Sequence, residues 1–129
     1  MSAFRSLGIS ASAMGAHRLW MDVIAENLAN AETTRTGEGG PFRRKLAIFM
    51  QDGPGVAVRS IVQDPAPPRM IYEPSHPDAN PSGYVLFPNV NPIHEMVDML
   101  SATRAYEANV AAFNATKAML TRALELGRV

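Results

Sequence analysis

The sequence predicts a mainly α-helical protein with a small β module in its middle, and three observations carry that prediction. Both ends of the chain lack proline, all ten prolines falling between Pro41 and Pro92. Apolar side chains recur at alternating steps of three and four through both ends, as they do along a helical seam. Short alternating runs broken by Pro and Gly occupy the middle, the pattern of strands and turns. The two long helices are expected to pair as an antiparallel coiled coil. Residues 1–36 and 91–129 would then form one discontinuous helical core, with residues 37–90 as the β-rich module.

The first helix is expected from Ala3 to about Ala31. Phe4, Leu7, Ala11, Met14, Arg18, Met21, Ala25 and Leu28 mark its seam, with Arg18 as a charged interruption. Gly8, Ser12 and Gly15 form a groove of small residues beside it. An interior Gly costs about 0.5–1 kcal/mol relative to Ala, so these two weaken the helix unless a neighbour fits closely there. The segment Asn27-Leu28-Ala29-Asn30-Ala31 carries two short amides three residues apart. They suit docking of a turn or neighbouring segment, and equally a plain helix stop with Asn30 as a left-handed cap.

The run from Glu32 to Pro41 is a loop by its Thr, Gly and Pro content. Strands are expected over Phe42–Met50, around Val56, Val58 and Ile61, over Met70–Tyr72 and over Tyr84–Phe87. Three or four short strands are marginal alone, so the module must lean on the helices or on another subunit.

The last quarter, Pro92 to Leu126, is the organising element. Asn91 suits the N-cap, Pro92 the first helical position and Gly127 the position after the end. The seam runs Met96, Met99, Thr103, Tyr106, Val110, Phe113, Lys117, Leu120, Leu124. One helix of this span is about 50 Å long, against roughly 35 Å for a compact globule of this chain length. Residues 99–121 carry only three charges, Arg104, Glu107 and Lys117, and small residues fill the other flanks. A helix facing one partner and water keeps a charged back, so this one is expected to meet several neighbours. Tyr106 and Phe113 are the expected anchors of its pairing with the first helix.

Net charge is zero and no basic run exceeds Arg43-Arg44-Lys45, which argues against nucleic acid and anionic membranes as partners. With no cysteine there is no disulfide, thiolate metal site or Cys nucleophile. No cleavable leader and no spanning segment are apparent. His94-Glu95 with Asp98 lacks the second imidazole of a zinc helix; its acids suit the positive end of the helix dipole. Ser10 and Ser12 have no visible base, and no Lys-Ser/Thr follows Gly37, Gly39 and Gly40. No enzyme, cofactor, metal or small-molecule substrate is expected.

Several motifs resemble the flagellar basal-body rod protein family of bacteria. Asn27 to Ala31 is similar to the N-terminal signature of rod and hook proteins, and Gly40-Pro41-Phe42-Arg43-Arg44-Lys45 to a delayed form found in proximal-rod members. Tyr72-Glu73-Pro74, Gly83-Tyr84-Val85, Pro88-Asn89-Val90, Glu95-Met96-Val97, Arg104 to Asn109, Lys117-Ala118-Met119 and Leu126-Gly127-Arg128 extend the likeness from end to end. The resemblance implies a structural subunit of the periplasmic rod, the drive shaft between the inner-membrane ring and the hook. Terminal helices would build its inner core around an export channel, and the type III apparatus would export the chain without a cleaved signal. Implied partners are other rod proteins, copies of itself and the base ring. Implied packing residues are Asn27, Leu28, Asn30, Phe42, Arg43, Arg104, Glu107 and Asn109, beside the seams with Leu7, Met14 and Met21. Phe42 stands where Tyr is more usual, removing one hydroxyl.

Long helices packed on several sides suit torque transmission, because shear spreads over many van der Waals contacts. Exposed seams also lead us to expect terminal segments that fold only on assembly. The rival reading is a non-flagellar coiled-coil adaptor, monomeric or a small closed oligomer.

Overall fold

The computed structural model describes residues 2–128. In chain order it contains α1 (Ala3–Ala29), β1 (Lys45–Asp52), β2 (Gly55–Gln63), β3 (Arg69–Tyr72), β4 (Tyr84–Phe87) and α2 (Pro92–Leu126). Helices thus occupy both ends and strands the middle, as the proline distribution predicts.

The Ser2 side chain opens α1 by accepting from the Arg5 N–H at 3.3 Å. The helix stops at Ala29, two residues short of expectation. Asn30 takes φ −105°, ψ 16°, not the left-handed conformation, and its Nδ2 donates back to the Glu26 carbonyl at 2.9 Å. The same carbonyl also accepts the Asn30 N–H at 3.1 Å, and the Ala31 N–H bonds the Leu28 carbonyl at 3.3 Å, so the last turn closes without a positive φ. At α2 the Asn91 side chain accepts from the N–H groups of Ile93 and His94, with Pro92 in the first turn. Gly127 closes the helix at φ −79°, its N–H on the Ala123 carbonyl, so here too no left-handed residue is used.

The two helices lie against each other. Thr103 Oγ1 donates to Met21 Sδ at 3.6 Å, and Asn27 Nδ2 to Glu95 Oε2 at 3.4 Å. Along α2, Met99, Tyr106, Val110, Phe113 and Leu120 are half-buried, whereas Met96, Lys117 and Leu124 are exposed; from Thr121 onward every described residue is exposed. Leu7, Met14, Met21 and Leu28 on α1 are likewise half-buried.

The middle holds two separate two-stranded antiparallel sheets, β1–β2 and β3–β4. The first strand begins three residues later than predicted. Phe42 N–H bonds instead to the Thr33 carbonyl at 3.0 Å, and its ring is buried with Ala31 and Val90. Strand β1 has eight residues and runs two past the expected end, to Asp52, whereas β2, with nine, extends beyond the expected run at both ends. Their register steps from Ile48↔Ser60 to Phe49↔Val58, which leaves Arg59 over as a bulge. Gly53 turns the hairpin at φ +57°.

The hairpin lies along α1, which gives this otherwise marginal unit its support. Near its tip the Val56 N–H donates to Ser12 Oγ at 3.2 Å. Midway, Phe49 meets His17 and Trp20 edge-on, with centroids 5.3 and 5.9 Å apart. A Cβ on Gly55 would stand 2.3 Å from Ser12 Oγ. Gly55→Ala is therefore expected to destabilise the chain by about 1–3 kcal/mol through overpacking, with Ser12→Ala in the same chain recovering part of it. Urea denaturation of both variants checks this; an undisturbed Gly55→Ala would place the hairpin tip elsewhere.

In the smaller sheet Val85 and Phe87 point inward, while Met70, Tyr72, Tyr84 and Leu86 are exposed. The buried core is concentrated where the end of α1, the following loop and the start of α2 meet, at Val23, Ile24, Ala31, Phe42 and Val90. Among the described residues no helix is long and apolar enough to cross a membrane.

Candidate functional site

The junction of helices and hairpin is built around Asn27, in the last turn of α1. A primary amide offers one donor and one acceptor side by side, as a neighbouring strand residue would. Asn27 Nδ2 donates to the Lys45 carbonyl and Oδ1 accepts from the Lys45 N–H, both at 2.9 Å. This buried side chain therefore fixes the first residue of β1 to α1.

Arg44, one residue earlier, fans its guanidinium over three carboxylates. Nε donates to Glu95 Oε1, Nη1 to Asp64 Oδ2 at 3.0 Å and Nη2 to Asp98 Oδ2 at 3.5 Å. Glu95 and Asp98 lie three apart on α2 and so share one face. Glu95 is completely buried, and its second oxygen accepts from Asn27. Asn89 closes the knot. Its Oδ1 accepts from the Arg44 N–H at 2.8 Å, and its Nδ2 donates to the carbonyls of Ala66 at 2.9 Å and Asp64 at 3.3 Å. Five separate stretches of chain are tied here, and among the described residues no buried side-chain N or O lacks a partner. Full pairing is the condition under which a buried charge is tolerated.

Burial by itself would lower the Arg44 pKa; hydrogen bonds to Glu95 and Asp64 outweigh it and hold the guanidinium above its usual value. The Ala66 N–H on Asp64 Oδ1, opposed by slight burial and reinforced by Arg44, holds that carboxyl below its usual 3.8. A carboxyl depressed in the folded state adds stability that is complete above its unfolded pKa and is lost as pH falls through the folded value. The Asp64 contribution is accordingly expected to fade below about pH 3.8. Denaturation midpoints measured from pH 6 downward should fall less steeply in Asp64→Asn than in the parent.

Of the residues singled out in the sequence, Asn27 and Phe42 are buried at this junction. Asn30 caps its own helix, and Arg43 is exposed with Nη2 donating to the Ala66 carbonyl at 3.3 Å. Asn109 bonds back to the Ala105 carbonyl within α2 at 2.8 Å. Arg104 and Glu107 are exposed. Sequence reading missed Arg44, Asp64, Asn89 and Glu95 as one unit. Glu95 and Asp98 were legible only as acids at a helix start, and Arg44 only as the centre of a basic run.

Glu95 is engaged by Arg44 and Asn27, Ser12 Oγ donates to the Ile9 carbonyl at 2.7 Å, and His17 Nδ1 lies 2.8 Å from the Ala13 carbonyl. The arrangement holds segments together.

Residues 82–126 match the family described as flagellar basal body rod FlgEFG protein C-terminal. Over the whole chain the sequence is similar to flagellar basal-body rod protein FlgC of Bacillus subtilis, at 46% identity across 99% of this chain and 100% of that protein. The FlgC of Aquifex aeolicus is 42% identical, covering 97% of each chain, and that of Salmonella typhimurium 37%, covering 99% and 100%.

Proposed function

The chain belongs to the FlgC family of flagellar basal-body rod proteins, and from that premise we propose that α1 and α2 build it into the proximal rod as a torque-bearing antiparallel coiled coil. It is a structural subunit of the flagellar basal body. Support for the coiled coil comes from the two helix contacts. Asn27 meets Glu95 and Met21 meets Thr103, so the chain directions oppose. Stepping back from Met21 to Ala3, and equally far forward from Thr103, leads to Thr121, where the continuous exposure of α2 begins. Tyr106 and Phe113, both half-buried, serve as anchors of that pairing in this reading.

Residues 1–36 with 91–129 act as the helical core and residues 37–90 as an outer β module fastened at the Arg44–Glu95 knot. Partners in this reading are other rod proteins, further copies of the chain, the inner-membrane base ring and, during export without a cleaved signal, the type III apparatus. The observation that carries it is the exposure of apolar residues along α2. Met96, Leu100, Met119, Leu124 and Leu126 are each more than half exposed in the single chain, and surface of that kind marks contact with other subunits. The terminal seams fold fully only on assembly, where neighbours cover them, and no substrate or cofactor is involved.

Deleting the gene is expected to give non-motile cells whose isolated basal bodies lack the rod, and re-expression of this sequence to restore both. Intact rods and normal swimming in the deletion strain would favour the coiled-coil adaptor.

A further inference from the structure

The outer faces of the two helices carry two charge pairs with a common order. Arg18 precedes Asp22 on α1 and Arg104 precedes Glu107 on α2, each pair one turn apart and all four side chains exposed. Among the described residues none of the four takes part in an ion pair. Two helices with the same charge order repel when parallel, since Arg then faces Arg and Asp faces Glu. Run antiparallel, they match at both positions, Arg18 with Glu107 and Asp22 with Arg104.

That one register also fits the positions on either side. Val97 and Leu100, 55% and 60% exposed, fall opposite Ala29 and Ala25, which are small and exposed. In the other direction Ala111 and Ala118 fall opposite Gly15 and Gly8. The interior glycines weaken α1, yet an added Cβ at either meets nothing within 4 Å in the single chain. The close neighbour that would justify them must come from outside.

We propose that the outer face of α1 in one copy docks antiparallel on the outer face of α2 in a second copy, in the register Arg18–Glu107 and Asp22–Arg104. The proposal rests on the rod reading and names one contact within it. Because different faces meet, each copy keeps one face free for the next, and the contact propagates into an open helix rather than a closed dimer.

The chain has no cysteine, so single cysteines report the contact directly. A tagged Gly15→Cys copy and an untagged Ala111→Cys copy are co-expressed in the deletion strain, and isolated basal bodies are mildly oxidised. A mixed disulfide dimer is expected, since docking brings the two backbones within the roughly 7 Å a disulfide requires. Asp22→Arg in the Gly15→Cys copy should abolish the dimer, and Arg104→Asp in the partner copy should restore it. Motile cells with tagged rods and no mixed dimer overturn the proposal, as does failure of the charge swap to rescue. So does a crosslinker placed at position 111 that captures a different rod protein instead of a copy. Absence of the parent tagged chain from basal bodies would overturn the rod reading itself, and with it this contact.

Discussion

Glu95→Ala is expected to cost about 3 kcal/mol of stability, at the low end of the range for breaking a buried ion pair. The carboxylate is wholly buried, so its removal takes a partner from Arg44 and from Asn27 at once. Arg44 keeps Asp64 and Asp98, both partly solvated, and this holds the loss at the lower end. Glu95→Gln keeps the volume and one acceptor but leaves the guanidinium facing a neutral group, and should fall between parent and alanine. Chemical denaturation of the three proteins gives the order. An alanine variant as stable as the parent would mean that the knot contributes nothing to the fastening of hairpin and helices. In cells the same variant should reduce motility, because a loosened knot lets the β module move relative to the helices.

Asn27→Ala should be about as damaging, at roughly 2–4 kcal/mol, because it strands both the N–H and the carbonyl of Lys45 at the edge of the core. Asn27→Asp discriminates between lost bonds and lost space. It retains the acceptor for the Lys45 N–H, yet loses the donor and adds a second buried negative charge beside Glu95. It is therefore expected to be at least as unstable as Asn27→Ala, and to recover partly in acid as one carboxyl takes up a proton. Hydrogen exchange at the Lys45 amide should speed up in both variants. Unchanged protection there would separate Asn27 from the seating of β1.

Local chemistry sets the elements themselves, and it is written in the order of residues. An Asn-Pro start and a run without Pro or Gly set α2 at Pro92–Leu126, within the predicted bounds. Alternation of apolar side chains located four strands, and the motifs around Asn27 and Phe42 pointed to the rod family. These features depend on neighbours within a turn or two of the chain, so periodicity and capping residues record them. How the pieces meet depends on contacts between distant segments. That Asn27 would serve as a surrogate strand neighbour, and not merely stop a helix, depended on a partner 18 residues away. That Glu95 would be buried on Arg44 depended on one 51 residues away. A carboxylate at a helix start reads the same whether it faces water or a guanidinium. Its burial is set by which segments the fold brings together, and here that is the Phe42 loop closing over the end of α1.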